Sequence, residues 1–260
     1  MLFFKFIFKK TMPNILNKFL NKIQYFQILR NQNRFRFAHK IIQLDKVARE
    51  YITRLNLDLL KSHSTGCQNS DYYFLHRYIL INKPKIVIEL GSGKSSIVIA
   101  DSLKEIGGHL FTYEAVKEYY DNLIEIIPNN LSNYITPIYA PSIETEFEGI
   151  KGVRFNADLP QADLIFVDGP TEILSTGKKG ACLDLFYYFL KYPSYPTSVI
   201  VDRKFSSLIA YQSMLPKHMV RYDPVYDLGF IPNATGNLLQ KQKKIKPTIP
   251  HGKISKFFNL

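Results

Sequence analysis

Lys85-Ile86-Val87-Ile88-Glu89-Leu90-Gly91-Ser92-Gly93-Lys94-Ser95-Ser96 is the stretch that decides the fold. Ile86 to Ile88 is an apolar, β-branched run closed by two glycines, the pattern of a buried parallel strand entering a tight turn. Pro84 stands just before it, where a missing N–H does no harm to a strand start. Beyond the turn, Ser95 or Ser96 is placed to cap a helix that runs to about Leu103. Strand, glycine turn and helix N-terminus in that order make a site for a nucleotide-like ligand. Glycine lets the backbone approach the ligand, and the first helical N–H groups point toward it.

Outward from this unit the chain alternates. Gly107-Gly108 stops the helix, and His109 to Ala115 is a second strand that carries Glu114 at its end. A helix over 116–127 leads to a third strand, Tyr134 to Ala140, which Pro137 marks as an edge. Residues 144–159 are acidic and irregular, an added hairpin or loop. Ala162 to Asp168 and Ser198 to Asp202 are further apolar strands, each ending in an acid. A loop over 171–180 and a helix over 181–191 separate them, and a helix over 205–215 follows. Residues 218–230 read as a closing antiparallel hairpin. The alternation predicts an α/β fold: a doubly wound, mostly parallel seven-stranded sheet with helices on both faces. Upstream, Val47, Tyr51, Leu55 and Leu59 mark a helix over 45–60, and Asp71 caps another over 72–81. The expected organisation is a basic segment 1–44, a helical cap 45–84 placed to cover the ligand site, the Rossmann-like domain 85–235 and a basic tail 236–260.

At 260 residues the chain suits one such domain with additions. Its net charge of +12 lies at the ends. Residues 1–44 hold nine basic groups and no acid, and residues 240–260 hold six more and no acid. The body between them balances at −3, which excludes a basic nucleic-acid groove through the core domain. From Ile15 to Leu29 the apolar residues follow helical spacing with lysines between, a stripe that suits packing, a mobile arm, a partner, or an anionic membrane surface met through residues 1–40. No apolar run reaches the roughly 18 residues of a membrane span, and no signal-peptide core follows Lys5. The expected location is cytoplasmic, with peripheral membrane contact open. Cys67 and Cys182 lie far apart without metal-ligand spacing and read as thiols in a reducing compartment.

The glycine turn admits three readings. Gly93-Lys94-Ser95 supplies the end of a P-loop, but Ile88 occupies the first-glycine position and leaves the loop too short to wrap a phosphate. Gly91, Gly93 and Ser96 approach a dinucleotide fingerprint with Glu114 about 20 residues on, yet a pyrophosphate beside Glu89 would be repelled. Glu89-x-Gly91-x-Gly93, the strand-end acid Glu114, the stretch Asp163 to Pro170 and the strand Val199 to Asp202 together resemble the class I S-adenosylmethionine-dependent methyltransferases. The resemblance covers about residues 71–230, and is closest to small-molecule or sugar methyltransferases with a Val-Asp-Gly-Pro turn. It implies S-adenosyl-L-methionine as cofactor, a cation that an acid at the turn attracts.

The resemblance also assigns roles. Cofactor binding falls to Glu89, Gly91, Ser92, Gly93, Ser95, Ser96, Glu114 and Ala115, with Glu114 accepting from the ribose hydroxyls. Asp168 and Asp202 are the expected catalytic acids. His76 and His218 are reserve bases, and Lys178, Lys179 and Arg203 suit an anionic acceptor. The family's third-strand acid is replaced by Ala140-Pro141-Ser142. The Asp-Asn pair of metal-dependent members is replaced by Asp202-Arg203, so no metal is expected. The implied activity is O-methylation of a sugar, glycan or small metabolite. A P-loop-like nucleotide enzyme and a non-catalytic binding protein of the same fold are the alternatives.

Overall fold

The computed structural model describes residues 46–57, 60–62, 67, 69–216, 219–223 and 228–241. The amphipathic stripe, the membrane contact through 1–40, His218 and most of the basic tail lie outside the described residues. Two helices come first, α1 (Lys46–Leu55) and α2 (Asn69–Asn82). The nucleotide-type unit follows as β1 (Ile86–Leu90) and α3 (Lys94–Ile106). Next come β2 (His109–Glu114), α4 (Lys117–Ile126) and β3 (Ile135–Tyr139). β4 (Ser142–Phe147) and β5 (Ile150–Phe155) precede β6 (Leu164–Val167), β7 (Ala181–Cys182) and α5 (Asp184–Lys191). The chain closes with β8 (Thr197–Asp202), α6 (Phe205–Met214), β9 (Arg221–Asp223) and β10 (Leu228–Ala234).

The main sheet has seven strands in the order β3-β2-β1-β6-β8-β10-β9. β3, β2, β1, β6 and β8 run parallel, and β10 pairs antiparallel with both β8 and β9. The chain winds outward one way from β1 and the other way from β6. The switch point lies between those two strands, where open α/β sheets bind ligands at their carboxyl ends.

The period-2 alternation of each strand sorts side chains onto two buried faces. Val87, Leu164, Phe166 and Ile200 join Leu75 and Ile79 of α2 and Ile97 to Leu103 of α3. Ile88, Leu90, Ile165 and Val167 face Phe186 and Phe189 of α5 and Tyr211 of α6. Burying each large apolar side chain contributes roughly 1.5–3 kcal/mol, which is why the central strands carry almost nothing else. Glu89 shares the face of Val87, and that placement governs its role.

Details depart from the sequence reading. α1 ends at Leu55 rather than Leu60, because Asn56 turns left-handed at φ 50°. α2 begins at Asn69, so Asp71 lies inside its first turn and fully buried rather than capping it. The acidic stretch forms the β4–β5 hairpin, turning through Glu148 and Gly149 at φ 48° and 82°, as two-residue hairpin turns require. Ala181-Cys182 is strand before it is helix, pairing with β5 in a second, three-stranded sheet. No helix among the described residues is long and apolar enough to cross a membrane.

Candidate active site

A cavity of 440 Å³ opens at the switch point. It is lined by Gly91 and Ser92 of the first turn, Glu114, Ala115 and Tyr119 beyond β2, and Phe155 of β5. Asp168 to Ile173, Lys179 and Asp202 to Lys204 complete the wall. Among the described residues the lining comes wholly from residues 91–204, and neither α1 nor α2 forms any of it. They pack instead on the sheet face beside α3.

The turn after β1 is built on a contact between two backbones. Gly91 has φ 93°, and a Cβ there would stand 2.6 Å from the Gly169 nitrogen. A Cβ on Gly169 would in turn meet the Gly91 Cα at 2.7 Å. Neither position has room for a side chain, so β1 and β6 end in turns that touch. The Asp168 N–H donates to the Leu90 carbonyl at 2.8 Å and fixes Asp168 at the cavity mouth.

Glu89 does not reach the cavity, which corrects the expected contact with the cofactor's cation. It is fully buried beneath α3 and accepts from Ser95 Oγ at 2.6 Å, Ser96 Oγ at 2.5 Å and Thr112 Oγ1 at 2.7 Å. Thr112 is its register partner on β2. Ser96 Oγ also accepts from the Gly93 N–H at 3.0 Å, so Glu89 clamps the helix start to the sheet. Burial pushes the Glu89 carboxyl up to about 7, against the pull of the three hydroxyls. Gly93, Ser95 and Ser96 also stand outside the lining, and so does Lys94. With its hydroxyl spent on Glu89, Ser95 is not placed to hold a nucleotide's magnesium as the P-loop reading needs.

Glu114 does line the cavity. Its Oε1 accepts from the Ala115 and Val116 N–H groups at 2.8 and 2.9 Å. Its Oε2 accepts from the Ser92 N–H at 3.1 Å and Ser92 Oγ at 2.8 Å. Three backbone donors hold the carboxylate rigidly, and the fourth is a hydroxyl that can rotate away.

Asp168 and Asp202 come together with Cys67, which the sequence did not single out for the site, and with Arg203, which it offered to an anionic acceptor. Cys67 Sγ lies 3.6 Å from Asp202 Oδ2 and 3.8 Å from Asp168 Oδ2. Burial, then the charges of Asp202, Asp168 and Asp71, push its thiol up, so it stays protonated. Burial and the neighbouring Asp202 charge hold the Asp168 carboxyl well above the usual carboxylate range. Arg203 binds Asp202 in a fork, Nε to Oδ1 at 2.9 Å and Nη2 to Oδ2 at 3.1 Å, and reaches Asp71 at 3.7 Å. Arg203 stands at φ 49°, a conformation non-glycine residues seldom adopt.

Ligand atoms of Cys67, Asp71 and Asp202 lie within 4.8 Å of one another, a spacing open to a metal ion. The guanidinium already supplies the positive charge there, and the thiol is not ionised. Lys204 lines the cavity beyond Arg203; burial opposes its charge, but Cys182 and then the carboxylates Asp168, Glu172 and Asp202 raise its ammonium. Lys204 carried no sequence signal beyond following two charged residues. Cys67 lies in the loop before α2, far from the motif in sequence.

His76 is removed from the site. It stacks on Tyr51 at 3.7 Å between ring centroids, and its Nδ1 meets Ser102 Oγ at 3.0 Å. Burial and the charges of Arg54 and Arg77 lower it to about 4, leaving a neutral packing residue between α1, α2 and α3. Of the expected lysines, Lys179 lines the cavity and Lys178 does not.

No family model matches the chain, and no curated protein does. Among solved structures, it is similar to an SAH-bound methyltransferase of Podospora anserina at 16% identity and a TM-score of 0.43, over 63% of this chain and 77% of that one. It is also similar to an O-methyltransferase from Bacillus cereus in complex with SAH, at 19% identity and a TM-score of 0.36, over 70% and 74%. A third is the C-terminal domain of precorrin-6Y C5,15-methyltransferase from Rhodobacter capsulatus, at 14% identity and 0.41, over 60% and 75%. The fold is Rossmann-like. The seven-stranded order, with its single antiparallel strand inside the parallel edge, is the architecture that the turn motif implied.

Proposed function

We propose that this chain is an S-adenosylmethionine-dependent O-methyltransferase acting on a small hydroxyl-bearing molecule. The observation that carries the reading is the pairing, in one cavity, of the rigid Glu114 carboxylate beside Gly91-Ser92 with the acid pair Asp168 and Asp202. The donor set suits the cofactor. Glu114 offers acceptors to vicinal ribose hydroxyls once Ser92 Oγ turns away. Gly91 leaves the backbone accessible.

S-adenosylmethionine supplies a methyl group on a cationic sulfonium. The chain's own residues place the acceptor and move its proton. Asp168 faces the cavity with a carboxyl whose raised proton affinity suits it to take the hydroxyl proton. The Lys204 ammonium stabilises the oxygen as that proton leaves. Asp202, held by Arg203, fixes the charge next to Asp168 and keeps it basic. Positioning of the acceptor supplies much of the rate.

Calorimetry with the full chain tests the reading. SAH and S-adenosylmethionine are expected to bind, and ATP with magnesium and NAD are not. Binding of ATP with magnesium instead of SAH would return the glycine turn to the phosphate readings. Methyl transfer to a panel of sugars and phenols then identifies the acceptor.

A further inference from the structure

A second cavity, of 380 Å³, lies on the other side of β5. Adjacent residues of a strand face opposite ways. Phe155 turns its ring to the main cavity, and Arg154 lines the second with Asp158, Leu159, Asp184, Tyr187 and Lys191. Asp184 opens α5 and is 3% exposed. Its Oδ1 accepts from the Phe155 N–H at 2.9 Å, while its Oδ2 has no partner among the described residues. Arg154 is held by Nη1 on the Phe155 carbonyl at 3.1 Å and by the Tyr187 ring at 4.8 Å. Its Nε is buried and likewise without a partner. Each such group left unmatched costs about 1–3 kcal/mol or more, so a sequence that keeps both has a use for them.

We propose that this cavity is a binding site for a small neutral polyhydroxylated molecule of the sugar or polyol class, one hydroxyl of which accepts from Arg154 Nε and donates to Asp184 Oδ2. The chemistry follows from the free groups. One N–H donor and one carboxylate oxygen call for a group that accepts and donates at once, and a hydroxyl is the smallest that does. A single water meets the same demand, but it fills only about 30 Å³. The cavity is in the size range of ligand pockets. Above about pH 7, where Asp184 is ionised, its charges balance: Arg154 and Lys191 face Asp158 and Asp184, so a net charge on the ligand gains nothing. At the rim, Lys191 Nζ and Asp158 Oδ2 are 3.4 Å apart and exposed enough to open toward further hydroxyls. Burial, relieved only in part by the Phe155 N–H, its own N–H and Arg154, pushes the Asp184 carboxyl up to about 7.

The site does not depend on the methyl-transfer reading. Its test uses the full chain with glucose and myo-inositol as probes, followed by saturation-transfer NMR and by a crystal structure in their presence. Saturable binding of at least one probe is expected. Asp184→Asn keeps Oδ1 for the Phe155 N–H but puts a donor where the ligand needs an acceptor. Arg154→Lys keeps the charge and loses the Nε–H. Each is expected to weaken binding by about tenfold or more. Asp168→Asn, in the main cavity, is expected to leave it unchanged. Ordered water alone between Arg154 and Asp184, binding that ignores both variants, or binding lost only in Asp168→Asn would each overturn the proposal.

Discussion

Asp168 and Glu114 are both strand-end carboxylates on one edge, yet their surroundings prepare them for opposite tasks. Glu114 is saturated by four donors, which fits the binding role proposed for it. Asp168 faces a half-buried thiol and another carboxylate, which fits the proposed role of proton acceptor. Glu114→Ala is therefore expected to weaken SAH binding by about 1–3 kcal/mol in calorimetry, the loss of charge-assisted hydrogen bonds. Asp168→Asn is expected to retain SAH and lose roughly 10²–10⁴-fold in turnover. The wild-type rate should rise with pH through the elevated Asp168 value, because only the ionised carboxylate takes a proton, and the variant should lack that limb. A variant that keeps both turnover and limb would move the base elsewhere in the cavity. The sequence showed that both were acids at strand ends. It did not show Cys67 beside Asp168 and Asp202, because those contacts join loops more than 100 residues apart.

The elements that position these side chains are the two turns where β1 and β6 end. Their glycines look like ligand-facing glycines in the sequence, and a turn motif alone gives no way to tell. In the structure Gly91 and Gly169 both line the cavity and are also in contact with each other. Gly169→Ala is expected to push the turns apart and destabilise the fold by about 1–3 kcal/mol, the range of overpacking. SAH affinity should fall with it, since Ser92 and Asp168 both ride on these turns. Unchanged denaturation and binding would show that the turns have slack. The strands were legible because two buried faces demand an unbroken apolar run, and the acids ending those runs stood out. The inward direction of Glu89 was legible too, in principle. It shares the parity of Val87, whereas the cavity opens beyond the strand end. The short β7 and the second cavity were not, because both arise where the β4–β5 hairpin meets α5, and the hairpin's sequence fixes only its turn.

Across the whole molecule, the buried ionisable groups set an unusual dependence of stability on pH. Glu89 rises from 4.5 to about 7 and Asp184 from 3.8 to about 7, so the folded chain holds two protons that the unfolded chain has released by near-neutral pH. Their contribution is complete below the unfolded values and is lost as pH climbs toward 7. Asp168 acts in the same direction. His76 opposes them, because it falls from 6.5 to about 4, and its contribution is lost as pH drops through that window. Between about pH 4.5 and 6.5 the carboxyls outnumber the histidine, and each excess proton is worth about 1.4 kcal/mol per pH unit. Urea unfolding midpoints are therefore expected to fall from pH 5 to pH 7, and the double variant Glu89→Gln, Asp184→Asn should flatten the slope. Moderate salt screens the basic ends, which would otherwise add their own repulsion. A midpoint that rises over this interval would mean that Ser95, Ser96 and Thr112 hold Glu89 ionised at little cost, and that the clamp beneath α3 is a charged one.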